Sequence, residues 1–206
     1  MKYYFVISPK SLGDSLKSES KRLMAEVYGK KVNKIYYRVK TKDKLDNPRR
    51  LFIKGDGRII EGEINPHISL VQNIEPENID DFIEKARLIC KKYNPIDLQF
   101  AGIGNYGMEF TFFVQFKSNS SLKKLRSELL ELCKPFLSNE EYKQHVDTGY
   151  IPHATLLYDD IEEEKVSRAY KLLILGEFKK PISVKQIMLW EITEQDQKTV
   201  VKLPLA

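Results

Sequence analysis

One phrase, Pro-His-x-Ser/Thr-Leu, occurs twice in the chain and constrains its fold more than any other feature. It appears as "PHISLVQ" from Pro66 and again as "PHATLLY" from Pro152. The two copies lie 86 positions apart and use two of the three histidines in the 206-residue chain. A phrase repeated in the same frame, within similar surroundings, is typical of an approximate internal duplication.

The two copies lie in surroundings that follow nearly the same order of predicted elements. In the first half, hydrophobic periodicity predicts strand 2–8, helix 11–28, strand 67–74, helix 76–94, and strands 96–104 and 108–116 about a turn at 104–107. In the second half it predicts helix 120–137 capped by Ser120 or Ser121, strand 151–158, helix 160–175, and a hairpin at 182–193 and 198–205. This order favours an α+β fold that is bilobal, with two pseudo-symmetric lobes of mainly antiparallel sheet backed by helices and a central groove.

A basic segment interrupts the first half of the chain, between the opening helix and the first motif. Residues 30–58 hold eleven Lys or Arg and three Asp, which gives +8 locally, whereas the whole chain carries +5. The runs "KIYYRV" and "RRLFIKG" predict two strands, and "KGDGR" predicts a turn. We therefore expect residues 1–206 to form a single bilobal domain with a basic hairpin insertion at about 28–60. On charge alone, a polyanionic partner and a merely solvated surface explain the segment equally well.

Composition and spacing argue against several other classes of protein. No apolar run reaches the ~20 residues that a membrane span needs. The start "MKYYFVISPK" lacks the long apolar region of a signal peptide, so we expect a cytoplasmic protein with no membrane partner. Cys90 and Cys133 have neither a CxxC partner nor a nearby His, which predicts buried, reduced thiols rather than a zinc site. No cluster of Asp, Glu and His has ligand spacing, so neither a metal nor a cofactor is expected.

Each copy of the phrase places an imidazole beside a hydroxyl on a predicted strand. Because side chains alternate along a strand, His67 and Ser69 share one face of theirs, and His153 and Thr155 share one face of the other. The intervening side chains are apolar and face the opposite way. If the lobes pack about a pseudo-twofold axis, both pairs converge on one cleft. The third histidine, His145, lacks this frame and is expected in a loop.

Two imidazoles and two hydroxyls in one cleft suit phosphodiester chemistry. With an ordinary pKa near ~6.5, one ring can be neutral and take a proton from the attacking oxygen. The other can be protonated and give a proton to the leaving oxygen. The hydroxyls can donate hydrogen bonds to the non-bridging phosphate oxygens, where negative charge must be held. The residues themselves leave open which histidine is the acid and which is the base.

The pair "HIS" and "HAT", each on a predicted strand followed by a helix, resembles the two-histidine (2H) phosphoesterase superfamily. That superfamily includes 2′,5′ RNA ligase-like proteins and cyclic nucleotide phosphodiesterases, and the resemblance extends to the final "TVVKLPL". It implies that His67 and His153 are catalytic, and that Ser69 and Thr155 bind phosphate. It implies metal-independent hydrolysis of 2′,3′-cyclic phosphates or 2′,5′-linked oligonucleotides, with His153 as the base and His67 as the acid. The expected partners are RNA ends, cyclic nucleotides or 2′,5′-oligonucleotides, and the expected state is a monomer.

The basic segment is the main departure from the family pattern, in which the first motif follows the opening helix more closely. The segment either embraces the substrate or is a structural elaboration with a charged outer face. Its candidate contacts are the cations Arg49, Arg50 and Lys54 for phosphates, and the aromatic residues Tyr36, Tyr37 and Phe52 for bases. Tyr150, just before the second motif, lies beside the groove or packs in the core. Two other functions stay open: a non-catalytic RNA- or nucleotide-binding module, and 2′,5′ end-joining of RNA by the reverse reaction.

Overall fold

The strands and helices occupy most of the chain that can be described. The computed structural model of the protein describes residues 2–7, 16, 18–20, 22–23, 35–38, 59–62, 66–106, 111–117, 119–147, 149–157, 163–175, 181–192 and 197–206. The strands of these ranges are β1 (Lys2–Ile7), β2 (Ile35–Arg38), β3 (Ile59–Gly62), β4 (Ile68–Ile74), β5 (Ile96–Leu98), β6 (Phe100–Tyr106), β7 (Thr111–Phe116), β8 (His153–Leu157), β9 (Ile182–Val184), β10 (Gln186–Ile192) and β11 (Gln197–Pro204). The helices are α1 (Ile79–Cys90), α2 (Ser120–Cys133) with a 3₁₀ turn at Lys134–Phe136, α3 (Asn139–Asp147) and α4 (Glu163–Ile174). Residues 16, 18–20 and 22–23 are also helical.

Among the described residues, one antiparallel sheet of seven strands forms the centre of the fold. Its order is β11–β10–β1–β4–β8–β7–β6, so the two motif strands, β4 and β8, meet inside the sheet. Four strands lie on the β4 side of this junction and three on the β8 side. Smaller antiparallel pairs, β2 with β3 and β5 with β9, complete the described strands. The mixed helical and antiparallel architecture confirms the α+β prediction.

The hairpin of each half of the chain pairs with a strand of the other half. The hairpin β6–β7 follows β4 in sequence, yet β7 pairs with β8. The hairpin β10–β11 follows β8 in sequence, yet β10 pairs with β1, which is the neighbour of β4. The repeat in sequence therefore becomes two interlocked halves of one sheet, with the motif strands at the junction.

The helices and the main core cover one face of this sheet. Phe82 and Ala86 of α1 and Leu125 of α2 are buried in one cluster with Ile68 of β4 and Ala154 of β8. The ring of Phe82 stacks on Phe5 of β1 at 5.5 Å and meets Phe136 edge-on at 5.6 Å. A second, smaller cluster lies on the other face of β1 and β10 and contains Tyr4, Val6, Met188, Trp190 and Ile192. No helix of the described residues has the length and apolar character needed to cross a membrane.

The observed ends of helices α1 and α2 differ from the predicted ones. Helix α1 begins at Ile79, because the side chain of Asn78 accepts from the backbone N–H groups of Asp80 and Asp81. The predicted cap of α2 at Ser120 or Ser121 is wrong, since Asn119 accepts from the N–H of Leu122 instead. That helix ends at Cys133, and the chain continues as a 3₁₀ turn that contains Pro135. Pro cannot donate the hydrogen bond that an α-helix needs there.

The predicted turn at 104–107 is also wrong, because β6 continues through Tyr106. Gly104 pairs with Phe113, and Tyr106 pairs with Thr111, so these residues belong to the ladder. The residues that join the strands, 107–110, lie outside the described part of the chain. Most of the basic segment also lies outside it, including the predicted strand "RRLFIKG". Its described part, β2, pairs antiparallel with β3, which follows the segment, and Ile35 lies opposite Gly62.

Two buried thiols should make the stability of the protein depend on pH in the alkaline range. Cys90 and Cys133 are free and buried, as the sequence predicted. Burial raises the pKa of Cys90 from 9.0 to about 12, and it raises the pKa of Cys133 in the same direction. A thiol with a raised folded pKa stabilises the protein fully below its unfolded pKa, and this contribution is lost as the pH rises toward the folded value.

We expect the free energy of unfolding to fall above about pH 9, by about 1.4 kcal/mol per pH unit for each thiol. Urea titrations at a series of pH values measure this slope. The variant Cys90→Ala/Cys133→Ala should show a smaller slope, whatever its stability at neutral pH. Equal slopes in the variant and the wild type would contradict the assignment of this dependence to the thiols.

Candidate active site

The two motif strands are hydrogen-bonded neighbours at the centre of the sheet. Ile68 of β4 lies opposite Ala154 of β8 in an antiparallel register. Extending this register by one residue in each direction places His67 opposite Thr155 and Ser69 opposite His153. Two tripeptides that are 86 positions apart in the sequence therefore form a compact array of two imidazoles and two hydroxyls.

Burial shows which face of the sheet carries this array. Ile68, Leu70, Ala154 and Leu156 are fully buried on the helix-covered face. The alternating side chains, those of His67, Ser69, His153 and Thr155, are only half-buried. Directly opposed residues of an antiparallel pair have Cβ atoms about 4.5–5.5 Å apart, and diagonal neighbours lie about 7–8 Å apart, with a somewhat smaller Cβ–Cβ distance. The two imidazoles are diagonal neighbours in this register.

His153 has one ring nitrogen fixed by the backbone. Its Nδ1 lies 2.9 Å from the carbonyl oxygen of Ile151, two residues earlier in the chain. A carbonyl oxygen only accepts, so the shared hydrogen belongs to Nδ1. In the neutral ring, Nε2 then carries the lone pair, which is the state that a proton acceptor needs.

Each imidazole also contacts an aromatic ring from a neighbouring part of the sheet. His67 meets Trp190 of β10 edge-on, with ring centroids 4.8 Å apart. His153 lies against Phe113 of β7, with centroids 5.0 Å apart. Neither aromatic residue was predicted from the sequence. The alternation of side chains along each strand could have identified them, because Phe113 and Trp190 lie on the same face of the sheet as the two histidines.

Gly104 makes room for the ring beside His153. A Cβ at Gly104 would come within 2.5 Å of the Phe113 ring, whereas a Cβ at Gly102 would come no closer than 3.7 Å to Gln115. We expect Gly104→Ala to displace Phe113 and to cost about 1–3 kcal/mol in the free energy of unfolding. The matched control, Gly102→Ala, should stay within about 0.5 kcal/mol of the wild type.

Chemical denaturation measures the stability of both glycine variants, and NMR of the His153 ring protons reports the movement of Phe113. Equal stabilities together with unchanged His153 resonances in Gly104→Ala would show that the Phe113 ring does not need this space.

Tyr150 and Arg126 lie behind the array and hold its backbone. The hydroxyl of Tyr150 donates to the carbonyl of Ser69 at 3.1 Å. The guanidinium of Arg126, on α2, lies 4.2 Å from the centroid of the Tyr150 ring and donates through Nε to the carbonyl of Leu70 at 3.0 Å. Burial raises the pKa of Tyr150, which keeps its hydroxyl protonated as a donor. Tyr150 therefore packs beside the motif strand and contacts its backbone.

His145 lies in helix α3, so its predicted place in a loop is wrong. The helix begins with a capping box: Ser138 Oγ accepts from the N–H of Glu141 at 3.2 Å, and the Glu141 carboxylate accepts from the N–H of Ser138 at 3.0 Å. The pattern "SNEE" carried this signal in the sequence. From the helix, Nε2 of His145 reaches the backbone of Gln72, 3.3 Å from its carbonyl oxygen. His145 thus contacts the motif strand β4 without belonging to the array.

The other predicted contacts are not tested by the geometry. Arg49, Arg50, Phe52 and Lys54 lie outside the described residues, and Tyr36 and Tyr37 are described only as backbone in β2. Among the described residues, no group of three or more His, Cys, Asp and Glu is arranged to hold a metal ion.

Comparison with known proteins gives the family. The family model described as the 2′-5′ RNA ligase superfamily matches residues 56–196, whereas no curated protein matches the chain in sequence. The structure of TT0787 from Thermus thermophilus is similar to this one, with a TM-score of 0.57, 13% identity, and 100% of this chain and 98% of that chain covered. E. coli LigT in complex with phosphate is also similar, with a TM-score of 0.56, 14% identity, and coverages of 100% and 97%. The family match spans most of the chain and includes both motifs, so this protein belongs to the 2′-5′ RNA ligase superfamily of two-histidine phosphoesterases, as the repeated phrase predicted.

Proposed function

We propose that the protein is a metal-independent phosphodiesterase that acts on 2′,3′-cyclic phosphates or 2′,5′-linked nucleotides. The observation that carries this proposal is the array itself: His67, Ser69, His153 and Thr155 share one half-buried face at the junction of β4 and β8. Two imidazoles across a diagonal can reach opposite sides of one phosphorus atom. An acid and a base on opposite sides are what an in-line displacement requires.

His153 is the base in this proposal, and His67 is the acid. The Nδ1–H of His153 is directed to the carbonyl of Ile151, so Nε2 of the neutral ring takes the proton. For a cyclic phosphate, that proton comes from the attacking water, whose oxygen forms the new bond to phosphorus. The bond from phosphorus to one ribose oxygen breaks, and protonated His67 gives that oxygen its proton. For a 2′,5′ linkage, the vicinal 3′-hydroxyl gives its proton to His153 and attacks phosphorus instead. The bond from phosphorus to the 5′-oxygen breaks, His67 protonates that oxygen, and a 2′,3′-cyclic end remains.

Ser69 and Thr155 stabilise the negative charge on the non-bridging phosphate oxygens. A hydroxyl on each motif strand lies on the same face as the two rings, between them in the array. Donors placed where negative charge develops lower the barrier, and their position costs nothing further during the reaction. E. coli LigT has been solved with phosphate and with 3′-AMP, which supports a nucleotide phosphate as the ligand of this fold.

The test is product formation in buffer that contains EDTA. The protein is incubated with each 2′,3′-cyclic mononucleotide, with 2′,5′-oligoadenylate, and with a 3′,5′-linked oligoadenylate of the same length. Chromatography and ³¹P NMR identify the products. Cleavage of the cyclic or 2′,5′-linked substrates, with the 3′,5′-linked one intact, supports the proposal.

A second candidate is a non-catalytic RNA- or nucleotide-binding module. The charge of +8 over residues 30–58 favours it, because a localised basic segment attracts polyanions. Binding of the same ligands without formation of any product would support this module and contradict the phosphodiesterase proposal. If cyclic-phosphate RNA ends are instead joined faster than they are hydrolysed, the physiological direction is ligation through the same two histidines.

A further inference from the structure

Strand β4 is bulged immediately after the first motif, and the bulge redirects one side chain. Tyr3 pairs with Ile74 and Val6 pairs with Ser69, so β4 uses more residues than β1 over the same length of ladder. Two register shifts produce this difference. In a regular strand, residues 69 and 72 would lie on opposite faces. Here Nε2 of Gln72 lies 2.7 Å from Oγ of Ser69.

The bulge removes ladder partners from the backbone, and side chains replace them. The carbonyl of Ser69 accepts from the hydroxyl of Tyr150 at 3.1 Å, and the carbonyl of Leu70 accepts from Nε of Arg126 at 3.0 Å. Asn73, further along the bulge, has a positive φ of 62°, and its side chain accepts from the hydroxyl of Tyr4 at 3.0 Å. Several donors from other elements thus hold the bulge in one conformation.

Arg126 connects this support to helix α3. Its Nη2 donates to the carbonyl of His145 at 2.8 Å, while Nε2 of His145 lies 3.3 Å from the carbonyl oxygen of Gln72. The backbone of Gln72 is therefore held from α3, and the backbone of Leu70 is held from α2. This arrangement fixes the point from which the Gln72 side chain reaches Ser69.

The hydrogen bond from the Gln72 amide restricts where the Ser69 hydroxyl can donate its own hydrogen. A hydroxyl has one hydrogen to donate and two lone pairs that accept. Because the amide of Gln72 occupies a lone pair, the hydroxyl hydrogen is left to point at another acceptor. A phosphate oxygen bound on this face of the array would be such an acceptor.

We propose that Gln72 is a positioning residue that orients the Ser69 hydroxyl as a donor to the phosphate, and that Tyr150 and Arg126 hold the bulge that makes this contact possible. The inference rests on the proposed function, which supplies the phosphate at Ser69. It assigns a role to a residue outside the His-x-Ser motif, since Gln72 acts on the substrate through Ser69.

A double-mutant cycle tests this role. Gln72→Met keeps the size of the side chain and removes the donor, so kcat should fall about tenfold, with KM changed by less than about twofold. In the Ser69→Ala background, the same substitution should change kcat by less than about twofold. Gln99→Met, at an exposed position on the loop before β6, is the matched control and should match the wild type.

Gln72→Glu tests the direction of the hydrogen bond. A carboxylate accepts the Ser69 hydrogen and adds negative charge beside the phosphate, so kcat should fall further than in Gln72→Met. A tenfold loss that persists in the Ser69→Ala background would overturn the inference, as would full activity of Gln72→Met.

The failures of the two proposals are distinguishable. If His67→Ala is inactive while Gln72→Met is fully active, the phosphodiesterase stands and the positioning role is lost. If the wild type releases no product, calorimetry with 3′-AMP measures Kd for the same set of variants. Equal, non-additive losses of affinity in Gln72→Met and Ser69→Ala then support the positioning role alone. Additive losses, or a wild type that does not bind 3′-AMP, overturn it.

Discussion

Alanine in place of either His67 or His153 should lower kcat on 2′,3′-cyclic nucleotides by about 10²–10⁴-fold. The reason is that each ring has a separate proton to move, on opposite sides of the phosphorus. The double variant should lose little more than the worse single one, because the residues act as a unit in one step. Stopped assays with quantified product measure kcat, and circular dichroism confirms that each variant is folded.

The pH dependence of the same variants identifies the acid and the base. A neutral base and a protonated acid together produce a bell-shaped profile of kcat/KM. Loss of the base in His153→Ala should remove the acidic limb from the residual activity. Loss of the acid in His67→Ala should remove the alkaline limb, and exchanged limbs would reverse the two assignments.

The third histidine provides a control variant whose expected loss of activity is smaller. His145 contacts the backbone of Gln72 but lies outside the array, so His145→Ala should cost no more than about tenfold. A double variant of His67 and His153 that retained wild-type turnover would end the catalytic proposal for the array.

Phe82→Ala should lower the free energy of unfolding by about 3–5 kcal/mol. Phe82 is 1% exposed, and its ring lies between Phe5 of β1 and Phe136, which follows α2. The substitution leaves a cavity where α1 packs on the sheet, and the neighbouring rings can only partly fill it. Urea or thermal unfolding followed by circular dichroism measures the loss.

Leu88→Ala is the matched control on the same helix. Leu88 is 62% exposed, so its truncation should change stability by less than about 0.5 kcal/mol. For Phe82→Ala, activity per folded molecule should stay near that of the wild type, because the residue packs on the face opposite the array. A loss below about 1 kcal/mol for Phe82→Ala would show that the helix layer is not closely packed there.

The pairing of each histidine with a hydroxyl was predictable from the sequence because its determinants are local. The period of two along "HIS" and "HAT" places each imidazole beside a hydroxyl, and the fully buried Ile68 and Ala154 confirm the opposite face as core. The misplaced cap of α2 and the misplaced turn at Gly104 have a different origin. Asn119 was available as a cap only one residue earlier, and Gly104 serves the Phe113 ring rather than a turn.

The bulge of β4 shows what local pattern could not predict. Nothing within "HISLVQNI" distinguishes a regular strand from a bulged one, because the bulge depends on the register with β1. Its backbone partners, Arg126 and Tyr150, come from segments more than fifty residues away. The contact between Gln72 and Ser69 follows from these partners, so the sequence alone did not predict it.

By itself, the sequence determined the α+β class, the duplicated motif and the pairing of each histidine with a hydroxyl, since hydrophobic periodicity and side-chain alternation are properties of neighbouring residues. Only the tertiary structure decided that the hairpins are exchanged between halves, that β4 and β8 are adjacent, and that a bulge brings Gln72 to Ser69. These features depend on pairings between strands that are distant in the sequence. The packing of the whole sheet against its helices selects among them.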